Sequence, residues 1–153
     1  MAFAFKRNGP TALAAICFFL GTTLLFYFMN LKNPQPYMDE IFHVRQAQHY
    51  CRGNWDWDPA ITTPPGLYLL SLVLSPILGC SVGALRFVNA AALVLIAPVV
   101  LFDILKQLHP QSSNNALIMR TLSMCSLPPL WFVSGLYYTD TWSTVLFLQS
   151  QDD

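Results

Sequence analysis

The sequence predicts an all-α, polytopic membrane protein. Three observations carry this. Of 153 residues, 54% are hydrophobic and only 10% are charged, whereas a soluble domain carries roughly 25% charged residues. Several uncharged apolar runs reach or approach the ~20 residues that a helix needs to cross a bilayer core. Aromatic residues make up 14% of the chain, and Trp and Tyr gather near the ends of those runs, where membrane interfaces favour them. The formal net charge is zero, so no basic footprint for nucleic acid is present.

The first run, TALAAICFFLGTTLLFYFM, covers residues 11 to 29 and holds no charge. It ends in bulky residues rather than at a small-residue cleavage site, so it reads as an uncleaved signal-anchor. Lys6 and Arg7 precede it, which predicts a cytosolic N-terminus and a lumenal segment afterwards. Residues 31 to 85 form that lumenal loop, with Pro34, Pro36, Pro59, Pro64 and Pro65. Within it, residues 66 to 79 are apolar but short, the length of an interfacial or re-entrant segment. Pro76 is expected to weaken it as a regular helix.

Residues 87 to 105 are long enough to be a second span, followed by a polar cytosolic loop at 106 to 115. Residues 116 to 138 read as a third span, kinked by Pro128 and Pro129, with Arg120 snorkelling near one end. Residues 141 to 153 read as the start of an incomplete span. Leaving 66 to 79 outside the count of spans keeps Lys106 and Arg120 cytosolic, as the positive-inside rule prefers. It also puts YYTD, residues 137 to 140, on the side of Asp39 and Glu40.

The polar segment YMDEIFHVRQAQHYC, residues 37 to 51, reads as an amphipathic helix starting at or near Asp39. Tyr37, Ile41, Val44, Ala47 and Cys51 fall at spacings of three and four and form an apolar stripe. Asp39, His43, Gln46 and Tyr50 fall on a different face, able to look into an aqueous cleft. Two readings of the acids stand side by side. Asp39 and Glu40 can simply serve the first turn of a helix, where the dipole favours carboxylates. They can also carry chemistry. Neighbours on a helix point about 100° apart, which suits them poorly to flank a glycosidic bond as a retaining glycosidase pair does. One base and one helper is the better division. A lone base suffices when the leaving group is a phosphate, which departs without a proton.

Trp55 and Trp57 can stack on sugars or anchor at the interface, and Arg86 can meet a lipid phosphate or act as an interfacial anchor. Of four cysteines, Cys17 and Cys125 lie in apolar runs and read as small core residues. Cys51 and Cys80 flank the polar region; the reading leans to two free thiols, with a bridge as the alternative in an oxidising lumen. Neither Cys nor His is spaced as a zinc site.

Taken in order, PYMDEIFHVRQAQHYC, WDWDPAITTPPGLYLLS and YYTD resemble the dolichyl-phosphate-glucose alpha-1,2-glucosyltransferase family of the GT-C glycosyltransferases. The likeness covers most of residues 10 to 148. It implies the N-terminal part of a GT-C-like transmembrane module with lumenal amphipathic helices, in a multi-pass protein of the endoplasmic reticulum membrane. It implies dolichyl-phosphate-glucose as donor substrate and the diglucosylated lipid-linked oligosaccharide as acceptor, with inversion at the anomeric centre. Asp39 is then the expected base and Glu40 the helper, a division that could be reversed. His43 and Asp140 are supporting residues, and Trp55, Trp57, Asp58, Thr63, Arg86 and Tyr138 are substrate-binding candidates. No metal ligand and no further cofactor is carried over. Family chains run to several hundred residues, so a partial or inactive product is expected, with a non-catalytic regulator of a potassium channel as the alternative function.

Overall fold

The computed structural model describes residues 9–150, and helices are the only regular elements among them. Lys6 and Arg7, and the tail at 151–153, lie outside the described residues. Helix α1 (Gly9–Lys32) is apolar enough to cross a membrane and leaves most of its surface uncovered. Its polar side chains stay cheap in an apolar setting because they bond to the preceding turn. Thr22 Oγ1 donates to the Phe18 carbonyl at 2.9 Å, and Asn30 Nδ2 donates to the Phe26 carbonyl at 2.8 Å.

The second membrane-length helix runs without a break from Val82 to Leu108, longer than the expected 87 to 105. It comprises α4 (Val82–Ala91), a π-helical turn (Ala92–Ile96) and α5 (Ala97–Leu108). Pro98 explains the π turn: it has no N–H to give to the turn before it, and a wider turn makes room for its ring. Helices α6 (Asn114–Cys125) and α7 (Pro128–Ser134) are bent by 65° at the break between them. Pro128 and Pro129 fit the first turn of a new helix but cannot continue an old one, so the third apolar segment is angled as expected. Helix α8 (Asp140–Gln149) closes the described part.

The short apolar segment is a 13-residue helix, α3 (Gly66–Leu78). At ~1.5 Å per residue it cannot cross a ~30 Å hydrocarbon core. Pro76 does not interrupt this helix. Pro76 sits inside it, and Ser75 Oγ donates at 2.8 Å to the Leu72 carbonyl that Pro76 cannot serve. Leu69, Val73 and Ile77 form an exposed stripe on α3, a face suited to lipid.

Two apolar clusters hold the chain together. Phe18, Leu93, Ala97, Leu101, Cys125 and Val145 join α1, the long helix, α6 and α8 in the bundle. Gly21 allows Trp131 to come close, since a Cβ there would lie 3.2 Å from the indole, and Trp131 Nε1 donates to Thr22 Oγ1 at 2.9 Å. The other cluster packs α2 (Glu40–Cys51) against α3, α4 and Tyr137, through Val44, Ala47, Tyr50, Leu67, Tyr68, Leu85 and Val88. Cys51 and Cys80 form a disulfide, which replaces the expected free thiols. It ties the end of α2 to the turn after α3, where the segment from 52 to 65 has little helix to hold it. Cys17 and Cys125 are free; Cys125 is buried as expected, whereas Cys17 is exposed on the uncovered side of α1, which corrects the reading of it as a core residue.

Candidate functional site

The acids sit where α1 ends, α4 begins and the turn before α8 returns. Helix α2 starts at Glu40, and Asp39 occupies its N-cap position without bonding the helix through its side chain. The approach is a tight turn in which Met38 takes a left-handed φ of 51°. That turn folds the Tyr37 N–H back onto Glu40.

Glu40 is fully buried and completely engaged. Oε1 accepts from Arg86 Nε at 2.9 Å and from the Tyr137 N–H at 2.6 Å. Oε2 accepts from Arg86 Nη2 at 2.6 Å and from the Tyr37 N–H at 2.8 Å. Arg86 is equally committed, at 0% side-chain exposure. Its Nη1 donates to the Asn33 carbonyl at 2.7 Å and towards Asn30 Oδ1 at 3.4 Å, and Nη2 also donates to the Gln35 carbonyl at 3.1 Å. All five guanidinium hydrogens thus have an acceptor. The substrate-binding expectation for Arg86 is therefore corrected: its charge is spent on Glu40 and on the backbone leaving α1. A buried carboxylate and guanidinium persist only when paired and fully bonded, and this pair clamps three chain segments at one point.

Asp39, by contrast, is exposed, and no hydrogen bond to its carboxylate occurs among the described residues. Its own N–H donates to Tyr138 Oη at 3.2 Å, while the Tyr138 hydroxyl donates to the Tyr37 carbonyl at 3.2 Å. Asp140 is also exposed and opens α8. One turn beyond Asp39, His43 is half-buried. Burial lowers its pKa from 6.5, with the charges of Asp39, Asp140 and Glu40 pulling the other way. Both exposed acids therefore lie near the imidazole.

Asn89, which the sequence reading missed, fixes the returning turn. Its Nδ2 donates to the Leu136 carbonyl at 2.8 Å and to the Tyr138 carbonyl at 2.6 Å. The available signal was an amide inside an otherwise apolar span. Tyr68 was missed too; its hydroxyl lies 2.6 Å from His43 Nδ1.

The aromatic segment is placed by buried Gln46, whose Nε2 donates to the Asp56 carbonyl and whose Oε1 accepts from the Asp58 N–H. Trp57 then approaches Tyr68 at 5.9 Å between ring centroids, and Thr63 Oγ1 lies 3.5 Å from the Tyr68 hydroxyl. Trp55 packs 5.1 Å from Tyr50, on the outer part of α2. Asp58 pairs with Arg45 at 2.7 Å and accepts the Ala60 N–H at 2.9 Å, so both its oxygens serve the loop. The expected polar face of α2 is corrected as well. Gln46 and Tyr50 are buried, Ile41 is exposed, and of the four residues expected on the polar face Asp39 and part of His43 face outward. Of the expected residues, His43, Thr63 and Trp57 meet Tyr68, while Asp39, Asp140 and Tyr138 lie near His43. A separate apolar groove of about 820 Å³, lined by Ile16, Phe19, Val99, Phe102 and Leu122, lies at the other end of the bundle, away from these acids.

The profile of the DIE2/ALG10 family matches residues 33–152. A protein of Arabidopsis thaliana named Dol-P-Glc:Glc(2)Man(9)GlcNAc(2)-PP-Dol alpha-1,2-glucosyltransferase is 42% identical over 157 residues, covering 92% of this chain and 30% of the relative. Proteins of the same name from Rattus norvegicus (42% identical, 88% of this chain, 32% of the relative) and Yarrowia lipolytica (39%, 82% and 26%) are similar in the same way. This chain thus spans about a quarter to a third of the length of these relatives. No solved structure gives a significant match. The matched region holds the clamp of Glu40 and Arg86, both exposed acids and the aromatic segment, and the chain belongs to the DIE2/ALG10 family.

Proposed function

We propose that this chain carries the base of a glucosyl transfer from dolichyl-phosphate-glucose to a diglucosylated lipid-linked oligosaccharide, in the assembly of the N-glycan precursor. The relatives' name states that donor and acceptor and an alpha-1,2 product. The observation that carries the reading is the contrast between two adjacent acids. Glu40 has no lone pair to spare for a substrate, while the Asp39 carboxylate is exposed and unengaged.

In this reading Asp39 accepts the proton of the acceptor 2-hydroxyl as that oxygen attacks the anomeric carbon of the donor. The bond from that carbon to the phosphate oxygen breaks, its electron pair leaves with dolichyl phosphate, and the configuration inverts. The leaving phosphate is already a stable anion, so one base is enough. Asp140 is the second exposed acid near His43, and Trp57 offers a face for a sugar. The protein is a multi-pass membrane protein, and the acids face the lumen of the endoplasmic reticulum in this proposal. Glycosylation acceptor sites inserted between residues 106 and 115 test the sidedness: modification there contradicts it.

The activity test places the chain in cells lacking the full-length transferase and reads the lipid-linked oligosaccharide. Conversion of the diglucosylated to the triglucosylated form, abolished by Asp39→Asn, supports the proposal. Transfer that survives Asp39→Asn refutes the base assignment. A chain without transfer that changes a potassium current would instead support the regulatory reading.

A further inference from the structure

Tyr68 is a buried residue with no part in the transfer step described above. It is 0% exposed in the first turn of α3, yet its hydroxyl does not pair with the backbone. It meets His43 Nδ1 at 2.6 Å and Thr63 Oγ1 at 3.5 Å. The Tyr68 ring also stacks on the imidazole, with centroids 5.9 Å apart and planes 29° apart. Tyr138 meets the same imidazole edge-on at 6.0 Å. On its other sides Tyr68 is held by Trp57, Tyr50 and Tyr137. His43 is therefore clamped on a face and an edge and tethered through one nitrogen. Among the described residues, its Nε2 has no protein partner.

A neutral imidazole has one N–H and one acceptor nitrogen, and the bond made by one nitrogen dictates the state of the other. Burial favours neutral His43 and raises the pKa of Tyr68, which stays a phenol and an O–H donor. The rings against the imidazole are Tyr68 of α3 and Tyr138, and the charges that reach it are those of Asp39 at the N-cap of α2, Asp140 of α8 and Glu40. Two directions fit these contacts: either Nδ1–H donates to the Tyr68 oxygen, or Tyr68 donates to Nδ1 with Thr63 behind it, and the second uses the more acidic phenol as donor and leaves the imidazole proton on Nε2.

We propose that Tyr68, backed by Thr63, is a positioning residue that holds His43 as its Nε2–H tautomer, a neutral donor for the carboxylate of Asp39. Asp39 lies four residues before His43, a spacing that stacks side chains on one helix face. The two side chains are not hydrogen-bonded in this structure, but Asp39 is exposed and can rotate onto such a donor, which would orient its carboxylate without protonating it and leave the other oxygen open to the acceptor hydroxyl. This catalytic consequence rests on the transfer reading; the tautomer does not.

The test uses the 153-residue chain, labelled with 15N-histidine, in phosphatidylcholine nanodiscs. There are 3 histidines, and His43→Gln identifies the resonances of the site. Wild type is expected to show His43 as a single Nε2–H tautomer at neutral pH, and Tyr68→Phe a mixture of both tautomers. Thr63→Val, a change at a half-buried position, is expected to give a smaller shift in the same direction and decides the matter if Tyr68→Phe does not fold. An Nδ1–H tautomer in wild type, or an unchanged Nε2–H population in the variants, overturns the proposal. In a transfer assay Tyr68→Phe is expected to lower kcat about tenfold with KM within about twofold. Unchanged kcat in a variant whose tautomer is lost overturns the positioning role. If wild type transfers no glucose, the transfer reading fails while the spectra still decide what Tyr68 does.

Discussion

The sharpest prediction separates two acids that are neighbours in sequence. Glu40→Ala removes a buried carboxylate that neutralises Arg86 and accepts the N–H groups of Tyr37 and Tyr137. Breaking a buried pair from one side costs roughly 3–5 kcal/mol, because the other charge is left buried. Two unpaired backbone donors add about 1–3 kcal/mol each where water cannot reach them. Partial relaxation of Arg86 towards the Asn33 and Gln35 carbonyls offsets some of this, and ~5 kcal/mol is the expected loss. That is a large part of the 5–15 kcal/mol typical of a folded domain. Asp39→Asn loses no side-chain hydrogen bond within the described protein and is expected to cost less than ~1 kcal/mol. Equilibrium unfolding in mixed detergent micelles, followed by tryptophan fluorescence, measures both. The double variant Glu40→Leu with Arg86→Met should recover part of the loss, since paired apolar replacements leave no stranded charge. Glu40→Ala with wild-type stability, or Asp39→Asn as unstable as Glu40→Ala, would refute the division of labour.

Three further outcomes are expected. Denatured, unreduced chain from the secretory pathway should label two of its four cysteines with maleimide; loss of the bridge by Cys80→Ser should cost about 3.5 kcal/mol by loop closure over its sequence separation of 29. Met38→Gly should raise stability by ~1 kcal/mol, because glycine adopts the left-handed φ of 51° without a Cβ penalty; a loss in thermal unfolding would count against strain there. His43 has a folded pKa below its reference of 6.5, so the unfolded chain binds more protons in that window, and stability rises with pH through it. Its contribution is present above pH 6.5 and lost as pH falls through the folded pKa; His43→Gln should flatten the stability profile there, and an unchanged slope would contradict the burial.

The membrane class was legible because it depends on composition and run length, quantities that need no contacts. The helix beginning near Asp39 and the bend at Pro128 and Pro129 were legible for similar reasons, since charge at a helix start and proline geometry act locally. The buried face of α2 was not. Its apolar stripe pointed to Ile41, but a buried carboxylate and a buried amide took places on the inner face, because Glu40 has Arg86 and Gln46 has the 56–58 backbone as partners. That the helix runs on through Pro76 was not legible either, because the hydroxyl of Ser75 takes up the Leu72 carbonyl.

By itself the sequence determined that this is a helical membrane protein, that its acids follow the first apolar run, and that its motifs resemble those of lipid-dependent glucosyltransferases. The tertiary structure alone decided which of the two adjacent acids is free. That choice depends on Arg86, 46 residues further along, and on the N–H of Tyr137, 97 residues away. Partners so distant in sequence leave no periodic trace, and only the packing of α1, α4 and the turn before α8 brings them to one carboxylate.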